Sequence, residues 1–279
     1  MYRAIPAAFL LLVVAVSTSA FASGYDYFSR GVDANNRDES DAAIASFTEG
    51  IASGDLAQAY LPVAYLGRAR AYMKKEQCLL AVSDLTEAIK LKPDYLDAYV
   101  LRSGANACLN RPVEALVDIS TAIRLKPAAE LYFSRARQQW AMGSYGRAAA
   151  DAAEATKIDP RDPYIMLWTG ILDERVGAFD QDEFSRRASG VTIRSWPTPL
   201  LDLYRGIARP DDVYRAARHA GDATDANNRK CEADFYIGEW LLLRRNTAAA
   251  EPLLKTATEE CPRNFIAYAA AKQELGRVQ

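Results

Sequence analysis

Apolar side chains along the chain recur three or four residues apart in successive short runs, the spacing of amphipathic helices, and the runs come in pairs. The pairs themselves repeat. Pro93 and Pro127 stand 34 residues apart and Pro160 follows 33 later; a proline cannot continue a helix, so each marks the close of a two-helix unit. With the proline numbered position 32, a small residue falls at position 8 (Ala69, Ser103, Ala136), position 20 (Ala81, Ala115, Ala148) and position 27 (Ala88, Ala122, Ala155). These are the points where two antiparallel helices approach most closely and a larger side chain would hold them apart. Large residues fill position 4 (Tyr65, Tyr99, Tyr132), and position 24 carries Leu85, Ile119 and Ala152.

An earlier unit begins near Gly24, with Tyr27, Gly31, Ala43, Phe47 and Gly50 at positions 4, 8, 20, 24 and 27; Ser53-Gly54-Asp55-Leu56 lengthens its connection to the next. A later unit begins at Cys231, with Gly238, Ala250, Leu254, Ala257 and Pro262 at positions 8, 20, 24, 27 and 32. This combination of small, large and proline positions resembles the tetratricopeptide repeat (TPR). The resemblance implies an all-α solenoid of helical hairpins wound as a right-handed superhelix, in which no unit buries its apolar face without the next.

The expected organisation is four TPR hairpins over 23–161, degenerate helical hairpins over 162–230, and a final TPR with a capping helix over 231–279. In the degenerate region the pattern predicts helices at Tyr164–Arg175, Gln181–Ala188, Thr198–Ile207 and from Pro210 towards His219. The polar stretch from Gly221 to Asn228 reads as a hinge loop, and Phe265–Arg277 as the capping helix.

The first 22 residues follow a different pattern: Arg3, then the apolar run Phe9 to Val16, then Ala20-Phe21-Ala22. This predicts a secretory signal peptide cleaved after Ala22, and hence a periplasmic or secreted protein with no membrane span in the mature chain. The remainder is of ordinary globular composition, 50% apolar and 25% charged. With 34 basic against 36 acidic side chains, there is no basic excess of the kind nucleic acid selects.

An exported chain with four cysteines favours disulfides over metal sites. Cys231 and Cys261 stand at the start and end of one predicted antiparallel hairpin, which brings them together. Cys78 and Cys108 both fall at the hairpin-turn end of the stack, and the sequence leaves their pairing open. A second repeated feature is charge. Arg30, Arg68, Arg102 and Arg135 occupy position 7, and Asp84, Asp118 and Asp151 occupy position 23 of the last three of these units, which predicts an ion pair between the two helices of a unit; the alternative is a ladder of arginines for an anionic ligand.

Catalytic patterns are missing from the sequence. There is one histidine, His219, and no G-x-S-x-G, H-E-x-x-H or phosphate-binding glycine loop. No enzymatic activity, cofactor or metal is expected, and the run Asp33, Asn35, Arg37, Glu39, Asp41 reads as a polar turn rather than a calcium loop, since it lacks the glycine and final glutamate. An alternative address for function, as an enzyme or small-ligand site, is the irregular region around Trp168, Trp196 and His219.

The TPR resemblance implies a concave wall built from the first helix of each unit. That wall would carry Phe28, Leu66, Val100 and Phe133 at position 5, Val32, Arg70 and Arg137 at position 9, and Met73 and Trp140 at position 12. Such a groove suits a protein or peptide segment with apolar anchors and some acidic character. It differs from the TPRs that clamp carboxylates with lysine and asparagine at positions 5 and 6, because position 6 here is Ser29, Gly67, Leu101 and Ser134.

Trp196-Pro197, Asp222 to Asp225, Glu232 to Trp240, Asn264-Phe265 and Glu274-Leu275 resemble the new lipoprotein I family of the Gram-negative envelope. The resemblance implies a dimeric periplasmic adaptor, here a homodimer, that binds cell-envelope hydrolases and brings them to a protease. No cysteine precedes Cys78, so the lipid anchor of that family is not expected.

Overall fold

The computed structural model describes residues 22–191, 195–263 and 265–278. The predicted signal peptide lies, apart from Ala22, outside the described residues, as does Asn264. The described residues form fifteen α-helices and no strand. The first eight make four hairpins: α1 (Gly24–Asn36) with α2 (Ser40–Ala52), α3 (Leu61–Lys74) with α4 (Cys78–Leu91), α5 (Leu96–Cys108) with α6 (Pro112–Leu125), and α7 (Ala129–Ala141) with α8 (Tyr145–Ile158).

The small-residue rule explains the packing. Ala69, Ala81, Ala88, Ala115, Ala122, Ala136, Ala148 and Ala155 are all fully buried between helices. Ser103 keeps its place by donating its hydroxyl to the Ala115 carbonyl at 2.9 Å. At Gly31 a Cβ would stand 2.8 Å from the Phe47 ring, so the first unit uses glycine where the others use alanine or serine. Each of these hairpins turns through one residue with positive φ, namely Asp38, Glu76, Asn110 and Gly143.

The degenerate region folds as α9 (Pro163–Arg175), α10 (Gln181–Ala188), α11 (Thr198–Tyr204) and α12 (Pro210–Arg218). Asp162 caps α9, its Oδ1 accepting from the Tyr164 and Ile165 amides at 2.8 and 2.9 Å. Every residue from Ile165 to Leu172 is buried, because α8 covers one side of α9 while α11 and α13 cover the other. A helix buried all round has no apolar stripe, and the repeat signal fades there for that reason. The predicted Thr198–Ile207 helix ends earlier, at Tyr204, with Gly206 in the left-handed region and Ile207 exposed.

The expected hinge at Gly221–Asn228 is not a loop. From Ala223 it is the opening of α13 (Ala223–Leu243), a 21-residue helix. Asp222 accepts from the Asp225 amide at 2.8 Å, and Arg229 pairs with Asp225 one turn on at 2.6 Å, so polar residues that read as a loop are a capped, charge-paired helix start. The last hairpin joins α13 to α14 (Thr247–Glu260), and α15 (Ile266–Val278) packs on both.

Candidate peptide-binding groove

The first helices of the hairpins contact one another, α1 with α3 and α3 with α5, whereas the second helices meet mainly first helices. Helices on the shorter radius crowd together, so α1, α3, α5 and α7 form the inner wall. Phe28 and Val32 lie half-buried at its N-terminal end, with Phe28 packed on Tyr60 at 5.1 Å between ring centres. Met73, Val100 and Phe133 are half-buried along it, and Arg70 is exposed.

Two expected wall residues are mainly core. Leu66 is 6% exposed and packs inside its own unit; Trp140 is 2% exposed and stands edge-on to Trp168 at 5.1 Å. Large apolar side chains at positions 5 and 12 are drawn inward wherever a neighbouring helix closes over them, and spacing alone does not reveal that closure.

The arginine ladder is turned away from any free ligand role. Arg68, Arg102 and Arg135 each hold the aspartate of their own hairpin through two hydrogen bonds, at 2.7–2.9 Å. Each also donates to a hydroxyl on the preceding hairpin: Thr48, Thr86 and Ser120 respectively. One guanidinium thus ties three helices, a fork geometry lysine could not supply. Arg30 instead lies over the Tyr27 ring at 5.3 Å.

At its C-terminal end the groove is occupied by the chain itself. From α15, Gln273 donates to the Ala141 carbonyl at 2.8 Å and Arg277 to the Trp140 carbonyl at 2.5 Å, reaching the free end of α7. Arg175 on α9 pairs with Glu239 of α13 at 2.5 Å and Glu274 of α15 at 2.7 Å, both carboxylates buried. Burial pushes Glu239 up to about 7, against the opposing pull of Arg175.

Between this helix and the inner wall lies a cavity of about 260 Å³, walled by Gly104, Ala107, Trp140, Ala141, Ala269 and Ala270, with Arg137 at its side. Arg137 stacks on Phe133 at 5.1 Å, and burial away from carboxylates lowers its pKa. A second cavity, about 320 Å³, adjoins Phe133 and Phe265. There Glu232 accepts from the Tyr164 hydroxyl at 2.9 Å and the Trp196 indole at 2.6 Å, and burial raises its pKa.

The irregular region does not gather its three singled-out residues. Trp168 is core and backs the first cavity, Trp196 is bonded to Glu232, and His219 sits exposed at the end of α12 with its Nδ1 at 2.7 Å from the Arg215 carbonyl. Around the acidic turn of the first hairpin, Asp38 pairs with Lys74, Asp41 with Lys75 and Glu39 with Arg37. The fold brings Cys78 to Cys108 and Cys231 to Cys261, with Cα atoms 6.3 and 5.2 Å apart, within disulfide reach. Sequence reasoning passed over Gly104, which the row of position 9 residues, Val32, Arg70, Gly104 and Arg137, marks as the one without a side chain.

No family model matches the chain. Over 210 residues it is 25% identical to the lipoprotein NlpI homolog of Haemophilus influenzae, covering 72% of this chain and 65% of that protein. Over 113 residues it is 31% identical to tetratricopeptide repeat protein 13 of Homo sapiens, covering 39% of this chain and 13% of that one. The chain thus spans less than two thirds of the length of either relative. In fold it is similar to a solved tetratricopeptide repeat protein from Parabacteroides merdae, with a TM-score of 0.61 at 14% identity, covering 90% of this chain and 98% of that one.

Proposed function

Because this chain is a tetratricopeptide-repeat protein that resembles the lipoprotein NlpI homolog, we propose that it is an exported scaffold that binds a partner polypeptide in the groove of α1, α3 and α5. The observation that carries the reading is the row of half-buried apolar residues, Phe28, Val32, Met73 and Val100, along the inner wall. Half-exposed apolar anchors bordered by the Arg70 cation fit an extended or helical segment with acidic flanks.

The predicted leader supports a periplasmic address, an oxidising compartment that suits disulfides at both cysteine pairs. The resemblance to NlpI makes cell-envelope hydrolases and proteases the partners to try first. The test is capture from an envelope extract by the mature chain and by Val32→Asp and Val100→Asp variants of unchanged melting temperature. Partners retained by wild type and lost by both variants support the groove; equal capture by all three overturns it.

A further inference from the structure

The cavity of about 320 Å³ beside Phe133 is assembled from parts of the chain that no single hairpin brings together. α7 supplies Phe133, the start of α9 supplies Asp162 and Tyr164, α13 supplies Glu232 and Tyr236, and the approach to α15 supplies Phe265. Its volume lies at the lower end of the range for small-molecule sites.

The charge in this lining has one sign. It holds two carboxylates, Asp162 and Glu232, and among the described residues no basic side chain. Glu232 stands one helical turn before Tyr236, on the same face of α13. Its hydrogen bonds from the Tyr164 hydroxyl and the Trp196 indole both fall on Oε2, and both donors are neutral. Oε1 accepts nothing among the described residues. Asp162 likewise uses Oδ1 for the α9 amides. The cations along α13 are engaged elsewhere, Arg229 with Asp225 and Lys230 with Asp234 and Glu260. A carboxylate drawn out of water with only neutral donors is disfavoured, as the raised pKa of Glu232 records, and a cation at Oε1 would reverse that.

Aromatic rings complete the match. The Phe133 ring already has Arg137 against it at 5.1 Å, but Tyr164, Tyr236 and Phe265 line the same space, and the faces of such rings attract a desolvated cation. An anion would be repelled by both carboxylates. A neutral apolar ligand would cover Oε1 and leave it unmatched.

We propose that this cavity binds a primary ammonium group on an aliphatic stem, the ammonium donating to Glu232 Oε1 and the stem lying among Tyr164, Tyr236 and Phe265. A quaternary ammonium has no N–H to give that oxygen. The site is separate from the peptide groove and does not depend on it. A free alkylamine and a lysine side chain of a partner polypeptide share this chemistry.

The experiment is a ligand-observed NMR titration of the mature chain with pentylamine, n-pentanol, pentyltrimethylammonium and Nα-acetyl-lysine N-methylamide. Pentylamine should bind about tenfold tighter or better than n-pentanol and than the trimethylated ion. Glu232→Gln, which keeps an acceptor for Tyr164 and Trp196 but loses the charge, should remove the preference for amine over alcohol. Asp162→Asn keeps an acceptor for the α9 amides and should shrink the same preference, and it serves if Glu232→Gln proves misfolded by circular dichroism. Val32→Asp should leave binding of every probe unchanged, so the fate of this site and that of the groove are read separately. Binding of the lysine derivative as tight as that of pentylamine would make a polypeptide side chain the source, and its exclusion would make the source a free amine; both uphold an ammonium site. Equal binding of pentylamine and n-pentanol by wild type, a preference unchanged in the folded variants, tighter binding of the trimethylated ion, or no amine binding below about 10 mM overturns the proposal.

Discussion

Arg175 of α9 and Glu274 of α15 meet at 2.7 Å, with the carboxylate 1% exposed, across 99 residues of sequence. The same guanidinium takes the fully buried Glu239 of α13, and Arg277 of α15 pairs with Glu274 from the other side. Two acids and two arginines thus fasten the last helix to the body of the solenoid. Glu239 Oε2 has no partner in this cluster, which makes it the oxygen where a proton is best held.

That cluster predicts a pH dependence. Glu239 is raised to about 7 in the folded chain, above the ordinary carboxylate value of about 4.3 in the unfolded one. Between these values the folded state binds the extra proton, so stability falls as pH rises from about 4.5 to 7 and levels off above. The contribution is of the order of 3–4 kcal/mol. Thermal unfolding should show wild type gaining stability relative to Glu239→Gln as pH drops from 8 to 5; parallel profiles for the two would refute the assignment.

The arginine ladder predicts a strongly asymmetric mutational response. Arg102→Met strands Asp118, which is 3% exposed, and should cost about 2–3 kcal/mol in urea unfolding, less than a wholly buried pair because the arginine is partly solvated. Replacing both partners, Arg102→Met with Asp118→Leu, should recover much of the loss. A single-variant cost below about 0.5 kcal/mol would mean the ladder is not structural.

Both cysteine pairs span 30 residues. In the chain-entropy model each closed loop stabilises by about 3–4 kcal/mol. Peptide mapping without reductant should recover Cys78 with Cys108 and Cys231 with Cys261, and Cys231→Ser should lower the unfolding midpoint accordingly. Recovery of free thiols from protein prepared under oxidising conditions would count against them.

Arg245, in the turn between α13 and α14, holds φ at 59° without a hydrogen bond or ion pair from its side chain among the described residues. A non-glycine residue there is strained by about 1 kcal/mol, so Arg245→Gly should raise stability by that order in urea unfolding. A loss instead would show that the chain's added freedom when unfolded outweighs the relief.

The sequence alone determined whatever depends on two neighbouring helices. Ala81 against Ala69, or Asp84 against Arg68, answers to one local approach distance repeated along the chain, so periodicity exposes the hairpins, the ion pairs and the approach of Cys231 to Cys261. At α9 the helix was legible but its repeat signature was not, because a helix buried on all sides has no stripe; the reading failed where a segment answers to its own cap, since Asp222 with the Arg229–Asp225 pair made a helix of a stretch that looked like a hinge. The wall positions could be read by number, but which of them remain open was decided only in three dimensions. Trp140 is covered while Gly104 and Arg137 border a cavity because α15 returns from the far end of the chain to α7, and a contact across 132 residues leaves no periodic trace in the residues that make it.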